Sequence, residues 1–186
     1  MASLRPAARV AELIEWEPVD TISVGAIGEP GQRTFLIQAR KDGALLSVHV
    51  EKEQVVILAA EADEFLDHLA SDDLDQAELH GPPSTVPAGH EISPEQPLFR
   101  ARLIGIGYDP DRHLVLIELR EHAVEEGELP PPIEESSGYV ARLYATRAQM
   151  RAMAEQGVRC ASAGRPPCPL CGFPINPEGH PCPRWN

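Results

Sequence analysis

One pattern occurs twice along this chain, and that repetition limits its fold more than any other feature. Gly25, Pro30 and the run TFLIQAR (Thr34 to Arg40) match Gly105, Pro110 and LVLIELR (Leu114 to Arg120), 80 residues further on. Gly43, Lys52 and Gln54 match Gly138, Arg147 and Gln149, now 95 residues further on. The difference of 15 residues is an insertion between the second and third strands of the later copy. Apolar hairpins resemble one another cheaply, because β-branched and aliphatic residues suit any pleated surface. Shared glycines, prolines and terminal arginines in one order favour duplication over chance.

The residues around these anchors supply the unit. Thr21 to Ile27 reads as a strand, Gly28-Glu29-Pro30-Gly31 as a turn and Arg33 to Arg40 as a second strand. Lys41-Asp42-Gly43 is a hairpin signal before a third strand, Ala44 to Val50. A helix is expected from about Glu51 to Ala70, with Val55, Leu58, Ala62, Phe65 and Leu69 on one face. The later copy should end in a helix from Arg147 to Ala163, N-capped by Thr146 and stopped by Gly164, with Gly157 as an earlier possible stop. Met150, Met153, Ala154 and Val158 share its face, a spacing that suits core packing. The expected class is α+β: mostly antiparallel sheet from a duplicated strand-strand-strand-helix unit, followed by a C-terminal zinc knuckle. The duplicated body takes residues 1–163, with copies at about 20–70 and 98–163, and the knuckle takes 164–186.

Two stretches interrupt the copies. Residues from Ser71 to Gln96 contain Gly81-Pro82-Pro83-Ser84 and few large apolar groups, and read as loop. The insertion from Glu121 to Ser137 has six glutamates, three consecutive prolines and no lysine or arginine, and reads as a solvated acidic loop. The acidic groups from Glu61 to Glu78 follow no EF-hand spacing and read as an exposed polar face.

The tail is where chemistry is legible. Cys168 and Cys171 form C-x2-C, and His180 and Cys182 follow as H-x-C. Zinc takes about four thiolate or imidazole donors in a tetrahedron, and C-x2-C offers two of them from one tight loop. His180 and Cys182 lie two apart, so extended chain projects both to the same side. Cys160 is the rival fourth ligand, its other reading being a small buried hydrophobe. Redox CxxC pairs open a helix after a strand, whereas CPLC here follows a helix and leads into Gly-Phe-Pro. No HExxH-like base accompanies the donors, so the site is expected to be closed and structural rather than catalytic. The other histidines show no ligand spacing, and no GxGxxG, P-loop or GxSxG motif occurs.

Net charge narrows the partners. With 16 basic and 29 acidic side chains the chain carries −13, a field that repels phosphate backbones and anionic lipid. Nucleic-acid binding would rest on Arg159, Arg165 and Arg184 near the knuckle, and no membrane partner is expected. The start MASLRPAARVAELIEW lacks the apolar centre of a signal peptide, and three clustered cysteines with one left over suit a reduced, cytoplasmic protein.

The segments GEPGQRTFLIQAR, VEKEQV and GRPPCPLCGFPINPEGHPCPR together resemble an uncharacterised actinobacterial family, domain of unknown function 3090. The resemblance spans nearly the whole chain, and the terminal motif is its specific part. A similar CPxCG…GHxCPR pattern in that family implies Cys168, Cys171, His180 and Cys182 as the ligand set and makes no use of Cys160. It implies no activity. Two function classes stay open: a zinc-stabilised binding or adaptor protein with a protein or small-molecule partner, or an enzyme or metabolite-binding domain with a pocket between the copies. In the second, Arg40 and Arg120, at matching strand ends, are candidate anion anchors, although surface arginines at strand ends are the commoner case.

Overall fold

The computed structural model describes residues 11–72, 89–124, 128–165, 168–176 and 179–185. Among the described residues, eight strands and two α-helices follow in order: β1 (Glu12–Trp16), β2 (Thr21–Ile27), β3 (Thr34–Lys41), β4 (Ala44–Val50), α1 (Lys52–Asp72), β5 (Phe99–Arg100), β6 (Leu103–Asp109), β7 (Leu114–Arg120), β8 (Tyr139–Ala145) and α2 (Arg147–Ser162). Each half is thus an antiparallel three-strand meander followed by a helix. The described strands form two four-stranded sheets, ordered β1-β8-β7-β6 and β2-β3-β4-β5.

The fourth strand of each sheet comes from the lead-in of the other half. β1, just before the first meander, pairs in parallel with β8 of the second. β5, just before the second meander, pairs in parallel with β4 of the first. The crossings close with matching hydrogen bonds: Val19 N–H donates to Tyr144 O at 2.8 Å, and Ala101 N–H to His49 O at 2.9 Å. Neither short strand stood out in the sequence. A parallel edge is selected by its partner in space, and five or two residues carry too little periodicity to be read.

Ladder registers carry the numerical offsets. Leu36 pairs with His49, and Leu116 pairs with Tyr144, 80 and 95 residues further on. In the first hairpin of each half the match slips by two residues. Gly25 faces Leu36, but it is Gly107, not Gly105, that faces Leu116. The loop from β6 to β7 holds four residues where that from β2 to β3 holds six, so the sequence offset of 80 does not survive across the turn.

Both helices start with the same device. Thr146 accepts from Gln149 N–H while Gln149 Oε1 accepts from Thr146 N–H at 2.9 Å, a full capping box. In α1 Gln54 Oε1 accepts from Glu51 N–H at 2.8 Å. The other ends of these amides reach across to the opposite half: Gln149 Nε2 donates to Asp20 O at 3.0 Å, and Gln54 Nε2 to Ala101 O at 3.3 Å. Glutamine serves here because one side chain must both accept and donate. The turn at Lys41–Ala44 has positive φ at Asp42 (49°) and Gly43 (81°), the pair a tight hairpin of this hand requires.

Along β7 burial alternates with a period of two, whereas on β3 every residue from Phe35 to Ala39 is buried, because the chain from Gly89 on covers its outer face. Phe35, Ile37 and Ala39 point inward from β3, and Val115, Ile117 and Leu119 from β7. They join Val55, Leu58, Met150 and Met153 in one core fed by both sheets and both helices. On α2 the buried stripe is Met150, Met153, Ala154, Gly157 and Ala161, while Val158, expected on that face, is 55% exposed. Steps of three and four residues from Met150 reach Gly157 and then Ala161, leaving Val158 about 100° round the helix. The glycine therefore packs rather than ends the helix. A Cβ there would lie 3.3 Å from methyls of both Val24 and Val55 and 3.5 Å from that of Ala59. Gly157→Leu is expected to wedge α2 from α1 and β2 and cost about 1–3 kcal/mol, read by urea unfolding. An unchanged midpoint would show that the crossing has slack.

The two interrupting stretches are less idle than their composition suggests. Residues 73–88 of the first and 125–127 of the second lie outside the described residues. From Gly89 on, the first lies against the outer face of β2 and β3. A Cβ on Gly25 would run into Ile92 at 2.5 Å, and Gln38, fully buried, exchanges hydrogen bonds with the backbone of Ser93 at 2.7 and 2.9 Å. The second contributes a single turn of 3-10 helix, Ile133–Glu135, and the buried Ser136. Most of its described residues are exposed, as a solvated acidic loop requires, but Arg120 ties it to the sheet at Pro131 and Ser136.

Candidate metal centre

Gly164 leads the chain out of α2 into the tail. There Gly172 N–H donates to Cys168 O at 2.8 Å and Cys168 N–H to Phe173 O at 2.7 Å, bending C-P-L-C back on itself. Gly172 adopts φ of 78°, a value that side chains with a Cβ rarely take. The return passes a second tight reversal, where Asn176 bridges Gly179, at φ of 91°. It places His180 and Cys182 beside the first pair.

The donor atoms of Cys168, Cys171, His180 and Cys182 all lie within 4.8 Å of one another. Cys168 Sγ is 3.9 Å from Cys182 Sγ, and Cys171 Sγ is 3.2 Å from His180 Nε2. A tetrahedron with metal–sulfur bonds of about 2.3 Å sets donors roughly 3.7 Å apart, so the four fit around one ion. Backbone N–H groups of Cys171 and Leu170 point at Cys168 and hold its thiol below the usual value, while burial pushes Cys171 up. The group can hold a metal ion.

Cys160 stands apart from this group. It sits on α2, packed against the core, where burial pushes its thiol up. CPLC leads into a turn rather than a helix, so no helix N-terminus lowers its thiols.

The arginines named as anion anchors have different fates. Arg120 is buried and fully engaged: its Nε donates to Glu118 at 2.7 Å, and Nη1 to Pro131 O at 2.7 Å and Ser136 Oγ at 3.0 Å. Glu118 in turn accepts from Arg142 at 3.0 Å, which also pairs with Glu15 of β1. Arg120 is thus the pin of the insertion. Arg40 is half-buried near His90, whose pKa is lowered first by burial and then by the Arg40 charge. Of the acidic run on α1, Asp63 and Asp67 pair with Arg151 of α2 across the helix crossing. Among the described residues no helix is long and apolar enough to cross a membrane.

No curated protein and no solved structure matches this chain. A family model does, over residues 14–182, from β1 to the last cysteine of the metal-competent group. The chain therefore belongs to the family of proteins of unknown function designated DUF3090.

Proposed function

We propose that this protein is a zinc-stabilised binding protein of the cytoplasm, with Cys168, Cys171, His180 and Cys182 holding one structural zinc ion. The observation that carries the reading is the convergence of three sulfurs and one imidazole nitrogen within 4.8 Å. A Cys3His donor set suits zinc, and four protein donors leave no open position for a substrate. Leu170, Phe173 and Trp185 are exposed on the knuckle, which supports a role in contacting a partner. The body is read as an internal duplication, supported by the common element order, the matching registers and the two glutamine caps.

Metal content across four variants tests the site. Cys168→Ser and Cys182→Ser should each abolish stoichiometric zinc, His180→Ala should weaken retention, and Cys160→Ser should leave one zinc per chain. Loss in Cys160→Ser with retention in His180→Ala would move the fourth ligand to Cys160.

One observation supports the second reading, a metabolite-binding domain with its pocket between the halves. A cavity of about 430 Å³ lies between α1 of the first half and β6 of the second. Its wall is apolar (Ile57, Leu58, Phe65, Ile104 and Ile106), with Gln54, Glu61 and Arg102 at the rim. That composition is usual for a small-molecule site. The corresponding place in the other half is closed: Gly157 sits on Val24, and Val24 N–H donates to Gln156 at 3.2 Å. Ala62 and Ile106 occupy the matching positions and are bulkier by two carbons.

A further inference from the structure

Three cations converge where the body meets the knuckle. Arg33 comes from the loop before β3, Lys52 opens α1, and Arg165 follows α2. All three line a cavity of about 230 Å³, together with Gly31, Gly164 and Pro174. A Cβ on Gly31 would lie 3.1 Å from the Arg165 guanidinium carbon, and one on Gly164 would lie 3.7 Å from Lys52 Nζ. Among the described residues no carboxylate lines this cavity and none of the three cations forms an ion pair. In a chain with net charge −13 and acidic groups in excess of nearly two to one, that is a local reversal of sign.

Like charges drawn together around a concavity raise the energy of the empty site and lower that of one holding an anion. Arg33 has a long contact of 3.5 Å to Cys160 O, which takes one donor and leaves the rest of its fork free. Arg165 is anchored differently, by Nη1 to Asn176 Oδ1 at 2.5 Å, inside the loop between the two halves of the metal group. Guanidinium forks match the oxygens of a phosphoryl group, and an ammonium adds a point charge. The small volume suits a phosphate or a compact phosphorylated molecule rather than a nucleotide.

We propose that this junction is a binding site for a phosphoryl group, built by Arg33 and Lys52 on the body and completed by Arg165 from the knuckle. The third cation rests on the metal reading; the first two do not. Binding of metal and of anion then reinforce each other, since the ordered knuckle holds Arg165 in place.

The test is calorimetric titration of pyrophosphate into the full-length, zinc-loaded protein, with zinc content measured on the same samples. Saturable one-to-one binding is expected, weakened at least about tenfold by Arg33→Gln combined with Lys52→Gln. Arg151→Gln, whose side chain already pairs with Asp63 and Asp67, should bind as the parent does. Zinc-stripped protein should bind several-fold more weakly, yet still lose affinity in the double variant. Equal affinity of the stripped and loaded protein would remove Arg165 from the site. Absence of saturable heat up to about 10 mM, equal affinity in the double variant, or equal affinity for malonate would each overturn the assignment.

Discussion

Stripping the metal should unravel the tail and leave the body folded. Among the described tail residues only Cys168 is buried, while Leu170, Phe173 and Trp185 face solvent. The tail's own backbone bonds are few, chiefly Cys168 N–H to Phe173 O and Gly172 N–H to Cys168 O. So little apolar burial cannot offset the roughly 1–2 kcal/mol per residue that ordering the backbone costs. A structural zinc ion contributes about 10–16 kcal/mol of apparent binding energy at neutral pH, enough to order such a segment. Chelation should therefore expose the amides from 168 to 185 to rapid hydrogen exchange. The body, which keeps a core drawn from both sheets and both helices, should retain its main thermal transition. Acidification should act like the chelator, because protons compete with the metal for three sulfurs and one imidazole. Collapse of the main transition on chelation would show that the knuckle is part of the body's core. Slow exchange in stripped protein would show that the tail orders itself.

Arg120→Met should be among the most damaging single substitutions outside the apolar core. The side chain is buried and satisfies Glu118, Pro131 O and Ser136 Oγ at once. Methionine fills most of the volume but donates nothing, leaving Pro131 O and the buried Ser136 without their charged donor and Glu118 with Arg142 alone. A loss of about 2–4 kcal/mol is expected. For a chain of this length that corresponds to a fall in melting temperature of roughly 5–15 °C. The amides of residues 133–136 should exchange faster in the same variant, since their tie to the sheet is gone. Ser136→Ala, which removes the bond from Arg120 and the hydroxyl's own bond to Pro132 O but leaves the charge paired, should cost about 1–2 kcal/mol. Equal melting temperatures for Arg120→Met and the parent would return Arg120 to the role of a surface arginine and the insertion to that of a solvated loop.

The sequence alone was enough to read the unit and the donors. Strands of seven or eight residues rich in aliphatic side chains and bounded by turn residues, as in Thr34–Lys41 and Leu114–Arg120, announce themselves, because such runs must be buried. The N-cap Thr146 and the spacing C-x2-C with H-x-C are local in the same sense: each acts over a few residues of continuous chain. Tertiary structure alone decided what long-range pairing controls. It exchanged β1 and β5 between the halves, because a parallel edge strand is chosen by the partner it meets. It turned Arg120 from an apparent anion anchor into a buried pin, since the matching Arg40 has no insertion beside it to hold. It also brought Arg33, Lys52 and Arg165 to one cavity from three separate elements. No spacing in the chain encodes that meeting; it follows from how the first hairpin, the start of α1 and the exit of α2 pack together.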